Sequence, residues 1–102
     1  MNKQDTTKKV FVRQGRFFVY MVECINGMYY TGSTNDLERR LKEHNSGKGA
    51  RYLRGKTPVK LVYCKEYRNY MNVLRAERRI KKLLRKQKDE LVKIYEKGKN
   101  NL

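Results

Sequence analysis

Cysteine is scarce in this chain of 102 residues, which holds only Cys24 and Cys64. The two are far apart, form no CxxC pair and have no histidine close to them. That spacing argues against a zinc site and against a disulfide framework. We therefore expect two buried free thiols, as in a protein of a reducing compartment.

Long apolar runs are also missing. No stretch approaches the roughly 20 apolar residues that cross a bilayer, and residues 1–15 lack the apolar core of a signal peptide. We therefore expect an intracellular protein without a membrane partner.

Acidic residues are few as well. The chain has 10 Asp and Glu against 26 Lys and Arg, a formal net charge of +16, which exceeds what solubility requires. Nucleic acid is the polyanion that such a charge predicts as a partner. The alternative is a helical face solvated by lysines, and KKLLRKQKDELVKIYEKGK is partly of that kind because acids and bases alternate along it.

What is present predicts one domain with loosely ordered ends. A chain of 102 residues has room for a single core. We expect a flexible segment at 1–14, one domain at 15–95 and a frayed tail at 96–102.

The domain opens with a predicted hairpin. Both alternating faces of RFFVYMVEC are apolar, which is typical of a strand covered on both sides. MYYTG has the composition of its partner strand. A two-residue turn at Asn26 and Gly27 would put Tyr20 and Tyr30 on opposite faces of the hairpin. A three-residue loop from Ile25, with Gly27 left-handed, puts them on one face, and we favour that loop.

Helices and a third strand follow. Asn35 and Glu38 resemble a capping box that opens a helix ending near Asn45. A strand is predicted at about 59–66, and then one long helix from Tyr70 or Met71 to at least Leu84 and as far as Tyr95. The predicted fold class is α/β, a small three-stranded antiparallel or mixed sheet flanked by helices in the order β-β-α-β-α.

The first predicted helix has polar residues where its core-facing residues should be. Leu37 and Leu41 define the inward stripe, and the same spacing adds Arg40 and His44. The helical period separates Arg40 from its neighbour Arg39, which points elsewhere. For His44, the alternative to a functional role is a cap or packing residue.

The last predicted helix places Glu77 in an apolar stripe with Val73, Ile80 and Leu84. A carboxylate buried alone would cost several kcal/mol or become neutral, so it needs a cation nearby. Arg40 and a bound metal are the two candidates. With Arg40, the pair would be a partly buried ion pair that holds two helices together.

These residues, together with two short strand motifs, resemble the GIY-YIG nuclease superfamily. Tyr20 ends the first motif, FVY, and Tyr30 opens the second, YTG. NDLERRLKEHN is similar to the helix that bears the family's arginine, at Arg40, and Glu77 in LRAERRIKK resembles its metal-binding glutamate. The resemblance covers about residues 16–90 and is nearest to a small stand-alone bacterial group related to the nuclease domain of the bacterial excinuclease.

The resemblance implies hydrolysis of a phosphodiester in DNA with one divalent cation, Mg²⁺ or Mn²⁺, held by Glu77. Arg40 would bind the scissile phosphate as a fork. Tyr20 and Tyr30 would orient or deprotonate the attacking water, and His44 would share that task or protonate the leaving oxygen. The general base stays open among these three.

The chain also departs from the family pattern. Phe18 replaces the glycine of the first motif, and Ser33 stands where a basic residue often follows the second. No residue matches an asparagine that some members carry late in the domain. The change at Ser33 removes one contact that could bind the phosphate or activate the general base, which would lower the catalytic rate.

A basic segment after the first helix predicts a track for a nucleic-acid backbone, with contacts that position the strand without reading its sequence. With no appended recognition domain, we expect a branched, flapped, nicked or single-stranded DNA substrate, with RNA left open, and a cytoplasmic protein near the nucleoid. The oligomeric state stays open, a monomer included. The basic residues are Lys48, Arg51, Arg54, Lys56 and Lys60.

The rival interpretation is a basic nucleic-acid-binding protein that keeps this scaffold without turnover. A pure binder has no need of a buried carboxylate near its anionic ligand. The joint presence of Tyr20, Tyr30, Arg40 and Glu77 therefore favours the enzyme.

Overall fold

The structure, a computed structural model, describes residues 14–100. The predicted flexible segment at 1–14 falls almost wholly outside this range, as do the last two residues of the predicted tail. Within it, no helix is long and apolar enough to cross a membrane. The elements are β1 (Gln14–Glu23), β2 (Tyr29–Thr34), α1 (Leu37–Asn45), β3 (Lys60–Asn69), α2 (Tyr70–Lys81) and α3 (Arg85–Asn100), with a 3-10 turn at Arg51–Leu53.

The three strands form one antiparallel sheet in the order β2-β1-β3. The predicted fold class is confirmed, with an antiparallel rather than a mixed sheet. β2 is an edge strand, and its alternate residues face the two helical layers on either side of the sheet. That edge is where the candidate site lies.

The three-residue hairpin loop is confirmed. The backbone N–H of Cys24 donates to the carbonyl of Met28 at 2.8 Å, and Gly27 N–H donates to the carbonyl of Cys24 at 2.8 Å. Gly27 has a φ of +87°, the left-handed conformation that favours glycine. In the resulting register Tyr20 pairs with Gly32 and Val22 with Tyr30, so both tyrosines lie on one face.

Both faces of β1 are buried, as its composition predicts. One face, with Val19 and Met21, packs under α2 and α3. The other, with Tyr20 and Val22, packs against Leu53 and the leucines of α1. The sheet is thus the middle layer between α1 on one side and the α2–α3 pair on the other.

The predicted cap of α1 is wrong by one residue. Asp36, not Asn35, is the N-cap, and its carboxylate accepts the Arg39 backbone N–H at 3.1 Å. Asn35 lies outside the helix and its side-chain oxygen accepts from the Arg39 guanidinium at 3.2 Å. Both residue types cap helices well, so composition could not separate them.

The single long helix predicted from residue 70 is also wrong, because α2 ends at Lys81 and α3 begins at Arg85. The chain turns at Leu84, which is 70% exposed rather than inward, and its N–H donates to the Gln87 side chain at 2.8 Å. The break lets α3 pack Leu91 and Val92 onto the core beneath α2. α3 continues through residues 96–100, which the sequence assigned to the frayed tail.

Candidate active site

A buried phenol and a buried imidazole form the centre of the candidate site. The Tyr20 hydroxyl and His44 Nε2 are 2.7 Å apart, and both side chains are about 1% exposed. β1 positions Tyr20, and the last turn of α1 positions His44. His44 therefore does more than cap the helix, because its ring contacts one of the predicted catalytic tyrosines.

The other ring nitrogen of His44 determines its tautomer. The Ala50 backbone N–H donates to His44 Nδ1 at 3.3 Å, so the proton of a neutral ring lies on Nε2 and is donated to the Tyr20 oxygen. Burial lowers the pKa of His44, and the nearby charge of Arg40 lowers this pKa further. The neutral ring is thus favoured.

Gly49 makes this arrangement possible. A Cβ at Gly49 would lie 2.7 Å from the His44 Cα and still closer to Nδ1, so no larger residue fits beside the ring. The segment after α1 can only approach His44 this closely with a glycine. The sequence gives no sign of this contact, because it forms only when the chain folds back.

We expect Gly49→Ala to displace His44, with a loss of about 1–3 kcal/mol of stability from overpacking and a strong loss of any cleavage. Thermal unfolding should show a Tm lower by several degrees, at about 4–8 °C per kcal/mol for a chain of this size. Gly98→Ala is the matched control, because nothing lies within 4 Å of its Cβ in α3 and alanine favours helix. A wild-type Tm for Gly49→Ala would contradict this account of the His44 site.

Tyr30 and Gly32 complete the α1 side of the site. The Tyr20 and Tyr30 ring centroids are 6.5 Å apart, and the Tyr30 and His44 centroids are 5.6 Å apart. A Cβ at Gly32 would lie 2.7 Å from the Tyr20 hydroxyl oxygen, so this glycine leaves the space that the phenol occupies. Gly32 is thus required by close approach rather than by its backbone angles.

Arg40 lies at the same site, and its ion-pair partner is Glu43 rather than Glu77. Its Nη1 donates to Glu43 Oε1 at 2.9 Å, and among the described residues no ion pair joins it to Glu77. Burial raises the pKa of Tyr20 to about 12, and the neighbouring Arg40 guanidinium opposes this shift. Arg40 is therefore close enough to Tyr20 to act on the same substrate atoms.

Glu77 reaches the site from the other face of the sheet. Ser33 Oγ donates to Glu77 Oε1 at 2.6 Å, and Lys81 Nζ lies 2.8 Å from Glu77 Oε2. Of the two candidate cations for Glu77, Arg40 is thus not the partner, and Lys81, one helical turn further along, forms the ion pair. The carboxylate side chain is only 18% exposed.

The edge strand β2 joins these two halves. Gly32 faces Tyr20 on the α1 side, and the next residue, Ser33, faces Glu77 on the α2 side. The Glu77 charge is near enough to raise the pKa of Tyr20 slightly, after burial has made the larger contribution. Tyr20, Tyr30, Arg40, His44 and Glu77 are thus gathered around one edge of the sheet.

A divalent cation at Glu77 is compatible with the donors present. Within residues 14–100 no group of three His, Cys, Asp or Glu side chains forms a protein cage for a metal. Mg²⁺ does not need one, since it binds through one or two carboxylates and takes its remaining ligands from water and substrate phosphates. Glu77 supplies the carboxylate, and half-exposed Lys81 can leave it for solvent.

The family of the chain follows from its match to a known domain. A family model for the GIY-YIG catalytic domain matches residues 16–90. This chain belongs to the GIY-YIG family. The UPF0213 protein VNG_2274C of Halobacterium salinarum is 49% identical over 73 residues, which cover 72% of this chain and 95% of the relative. A UPF0213 protein of Bacillus cereus is 48% identical over 71 residues, covering 70% and 74%.

Two solution NMR structures share the fold of this GIY-YIG domain. The UPF0213 protein BH0048 of Bacillus halodurans is 42% identical with a TM-score of 0.52, covering 78% of this chain and 84% of that protein. The protein EF2693 of E. faecalis is 36% identical with a TM-score of 0.56, covering 82% and 90%. Both structures thus support the same fold for the GIY-YIG domain of this chain.

The predicted backbone track only partly adjoins the GIY-YIG site. Tyr52 stacks on Tyr30, and this brings the 51–56 segment next to the site. Lys60 does not join it, because it pairs with Glu23 in the sheet and lines a groove with Tyr95 on the α3 side. Lys48 is exposed just before the segment.

Several residues of the GIY-YIG site were missed from sequence. Lys81 follows Glu77 at the i, i+4 spacing of helical ion pairs, a signal that could have identified it. Ser33 looked like the loss of a basic residue, whereas its hydroxyl binds the Glu77 carboxylate. Gly49 and Tyr52 had no local signal.

Proposed function

We propose that this GIY-YIG domain is a divalent-metal-dependent endonuclease that hydrolyses phosphodiester bonds in DNA and selects structure rather than sequence. The observation that supports it most is the edge strand β2, where Gly32 adjoins Tyr20 and Ser33 adjoins Glu77. That strand thus lies between a phenol and a carboxylate on a basic protein. A DNA substrate would keep the protein with the nucleoid.

Each side chain has a proposed task in the reaction. Arg40 binds the scissile phosphate and stabilises the charge that develops on it. A phenol is neutral at pH 7, and burial makes ionisation of Tyr20 harder still by raising its pKa to about 12, so Tyr20 positions the reacting oxygens rather than deprotonating water. Tyr30 orients the attacking water beside it. His44 holds Tyr20 in place by donating Nε2–H to the phenol oxygen.

Glu77 would hold one Mg²⁺ or Mn²⁺, with Ser33 fixing the carboxylate orientation by its 2.6 Å hydrogen bond. The cation, when bound, supplies charge neutralisation at the phosphate and lowers the pKa of bound water. Lys81 neutralises the carboxylate otherwise.

The second candidate is a nucleic-acid-binding protein without turnover. It is favoured by the charge of +16 alone. It does not explain why the mostly buried Glu77 carboxylate and the hydrogen-bonded Tyr20–His44 pair adjoin the same strand.

A cleavage assay distinguishes the nuclease from the non-catalytic binder. The substrates are linear, nicked, flapped, branched and single-stranded DNA and the matching RNAs, each with Mg²⁺, Mn²⁺ or EDTA. Cleavage abolished by EDTA supports the enzyme; binding without cleavage of any substrate supports the binder.

Affinity for DNA should fall linearly with salt on a log-log plot, with a slope near −0.9 for each duplex phosphate neutralised. Replacing both Arg51 and Arg54 by glutamine should reduce the magnitude of that slope by about 2, since both are exposed beside the site. The matched control replaces Lys93 and Lys97 on α3. A slope near zero for the wild-type protein would contradict nucleic-acid binding, and equal changes in both variants would contradict the track.

A further inference from the structure

The aromatic side chains of the site continue outward from the core to the surface. His44 is buried, and the Tyr30 ring packs edge-on against it with centroids 5.6 Å apart. Tyr52 stacks on Tyr30 with centroids 5.8 Å apart and planes only 20° from parallel. Tyr52 is 40% exposed, so the column ends in a ring that solvent can reach.

The local chain holds Tyr52 in this exposed position. Its neighbour Leu53 is 1% exposed and anchors the 3-10 turn in the core. The flanking Arg51 and Arg54 are exposed, and within the described residues neither forms an ion pair with a carboxylate. An aromatic ring between two unpaired guanidinium groups is typical of surfaces that bind single-stranded nucleic acid.

The surroundings of the ring are cationic on one part and apolar on another. Lys56 Nζ lies 4.5 Å from the Tyr52 ring centroid and donates to the Tyr52 carbonyl at 2.8 Å. The Tyr52 hydroxyl donates to the sulfur of Met28, at 3.5 Å, and Met28 is itself 48% exposed. Ile25 in the same hairpin loop is 68% exposed, and its N–H donates to the Lys56 carbonyl at 3.1 Å. The loop and the turn thus form one connected surface.

We propose that Tyr52 is a stacking platform for an unpaired nucleobase next to the scissile phosphate. The inference rests on the proposed nuclease function and names its substrate class. Because Tyr52 stacks directly on Tyr30, a base against Tyr52 belongs to a nucleotide adjoining the reaction site. The nucleobase replaces the Lys56 ammonium on the Tyr52 ring, and the released ammonium stays beside the phosphates of the bound nucleic acid.

This arrangement selects against continuous duplex. In a duplex each base is already stacked between its neighbours and cannot lie on a protein ring without being unstacked, which costs a few kcal/mol. An unpaired nucleotide at a flap, gap or single-stranded end has no such cost. The preferred substrate therefore has an unpaired nucleotide at the cleavage position.

The test measures binding in EDTA, using a single strand and a flapped duplex that carry 2-aminopurine at successive positions, and a blunt duplex of the same length. Tyr52→Ala should weaken binding of the single strand and the flap by about 5- to 100-fold, the range for loss of one base–aromatic stack. Binding of the blunt duplex should change less than about 2-fold. Quenching of one 2-aminopurine position should be lost. Tyr52→Phe keeps the ring and should preserve both signals.

Two further comparisons make the result specific. Lys56→Gln should weaken binding of all three substrates alike, because it removes a charge and no stacking surface. In that background Tyr52→Ala should still discriminate the flap from the duplex. Equal losses on duplex and flap, or discrimination that disappears when Lys56 is replaced, would overturn the platform. Circular dichroism melting identifies any variant that does not fold. If Tyr52→Ala is such a variant, Tyr52→Phe provides the test: retained 2-aminopurine quenching supports the platform and lost quenching overturns it.

The binding test is run without divalent cation, so its result does not depend on whether the protein cleaves DNA. A protein that binds unpaired bases through Tyr52 and never cuts with Mg²⁺ or Mn²⁺ overturns the nuclease and leaves the platform standing. A protein that cuts yet shows no Tyr52-dependent quenching overturns the platform alone.

Discussion

Glu77→Gln should reduce DNA cleavage by about 10²- to 10³-fold, the loss typical when one preorganised electrostatic group is removed from an active site. The amide keeps the shape of the carboxylate and can still accept from Ser33, whose hydroxyl is 2.6 Å away. It cannot supply the charge that holds a divalent cation. Binding of DNA in EDTA should be retained or tightened, because a negative charge near the phosphates has gone.

The structure also predicts what Glu77→Gln does to stability. Had Arg40 been the buried partner of Glu77, the variant would leave a guanidinium unpaired at a cost of about 3–5 kcal/mol. The partner is instead Lys81, whose side chain is 54% exposed and can return to water. The expected loss is therefore at most about 1 kcal/mol, as for other exposed ion pairs.

Glu90→Gln on α3 is the matched control, since this carboxylate is exposed and lies in a helix of the same core layer. Cleavage rates and thermal unfolding should be measured on the same preparations of both variants. Should Glu77→Gln cut at the wild-type rate below its melting temperature, Glu77 is a structural residue and the metal assignment is withdrawn.

Sequence reasoning did best where local rules decide the structure. The three-residue loop of residues 25–27, with its left-handed Gly27, set the register that put Tyr20 and Tyr30 on one face. The helical period likewise separated Arg40, which lies beside Tyr20, from Arg39, which is turned to solvent. Both features depend on spacing within a few residues, which a sequence displays directly.

It did worst where distant segments decide the structure. No glycine, proline or capping side chain marks the end of α2, and the break near Leu84 arises because α3 packs Leu91 and Val92 on the core. The space beside His44 that requires Gly49 forms only when the loop after α1 folds back. For Glu77 the sequence left Arg40 and a bound metal open as the neutralising cation and missed Lys81, which the same helix supplies.

Arg39 and Arg40 are adjacent arginines of α1, so one can serve as the control for the other. Arg40 and Arg39 both lie near Glu43, at 2.9 and 3.8 Å, but Arg40 is 31% exposed and Arg39 is 58% exposed. Only Arg40 adjoins Tyr20. A general electrostatic role would make the two equivalent, and a role at the scissile phosphate would not.

Arg40→Gln should therefore reduce cleavage by about 10²- to 10³-fold, because it removes the charge that opposes the developing negative charge on the phosphate. Arg39→Gln should change the rate by no more than about 2-fold, since an exposed charge is largely screened by salt. Arg40→Lys should fall between them, as lysine keeps the charge and loses the two-pronged hydrogen bonding of the guanidinium. The measurement is the single-turnover rate at saturating protein, with thermal unfolding of each variant as the check on folding. Equal losses for Arg39→Gln and Arg40→Gln would show that both act only through the overall charge, and Arg40 would lose its place at the phosphate.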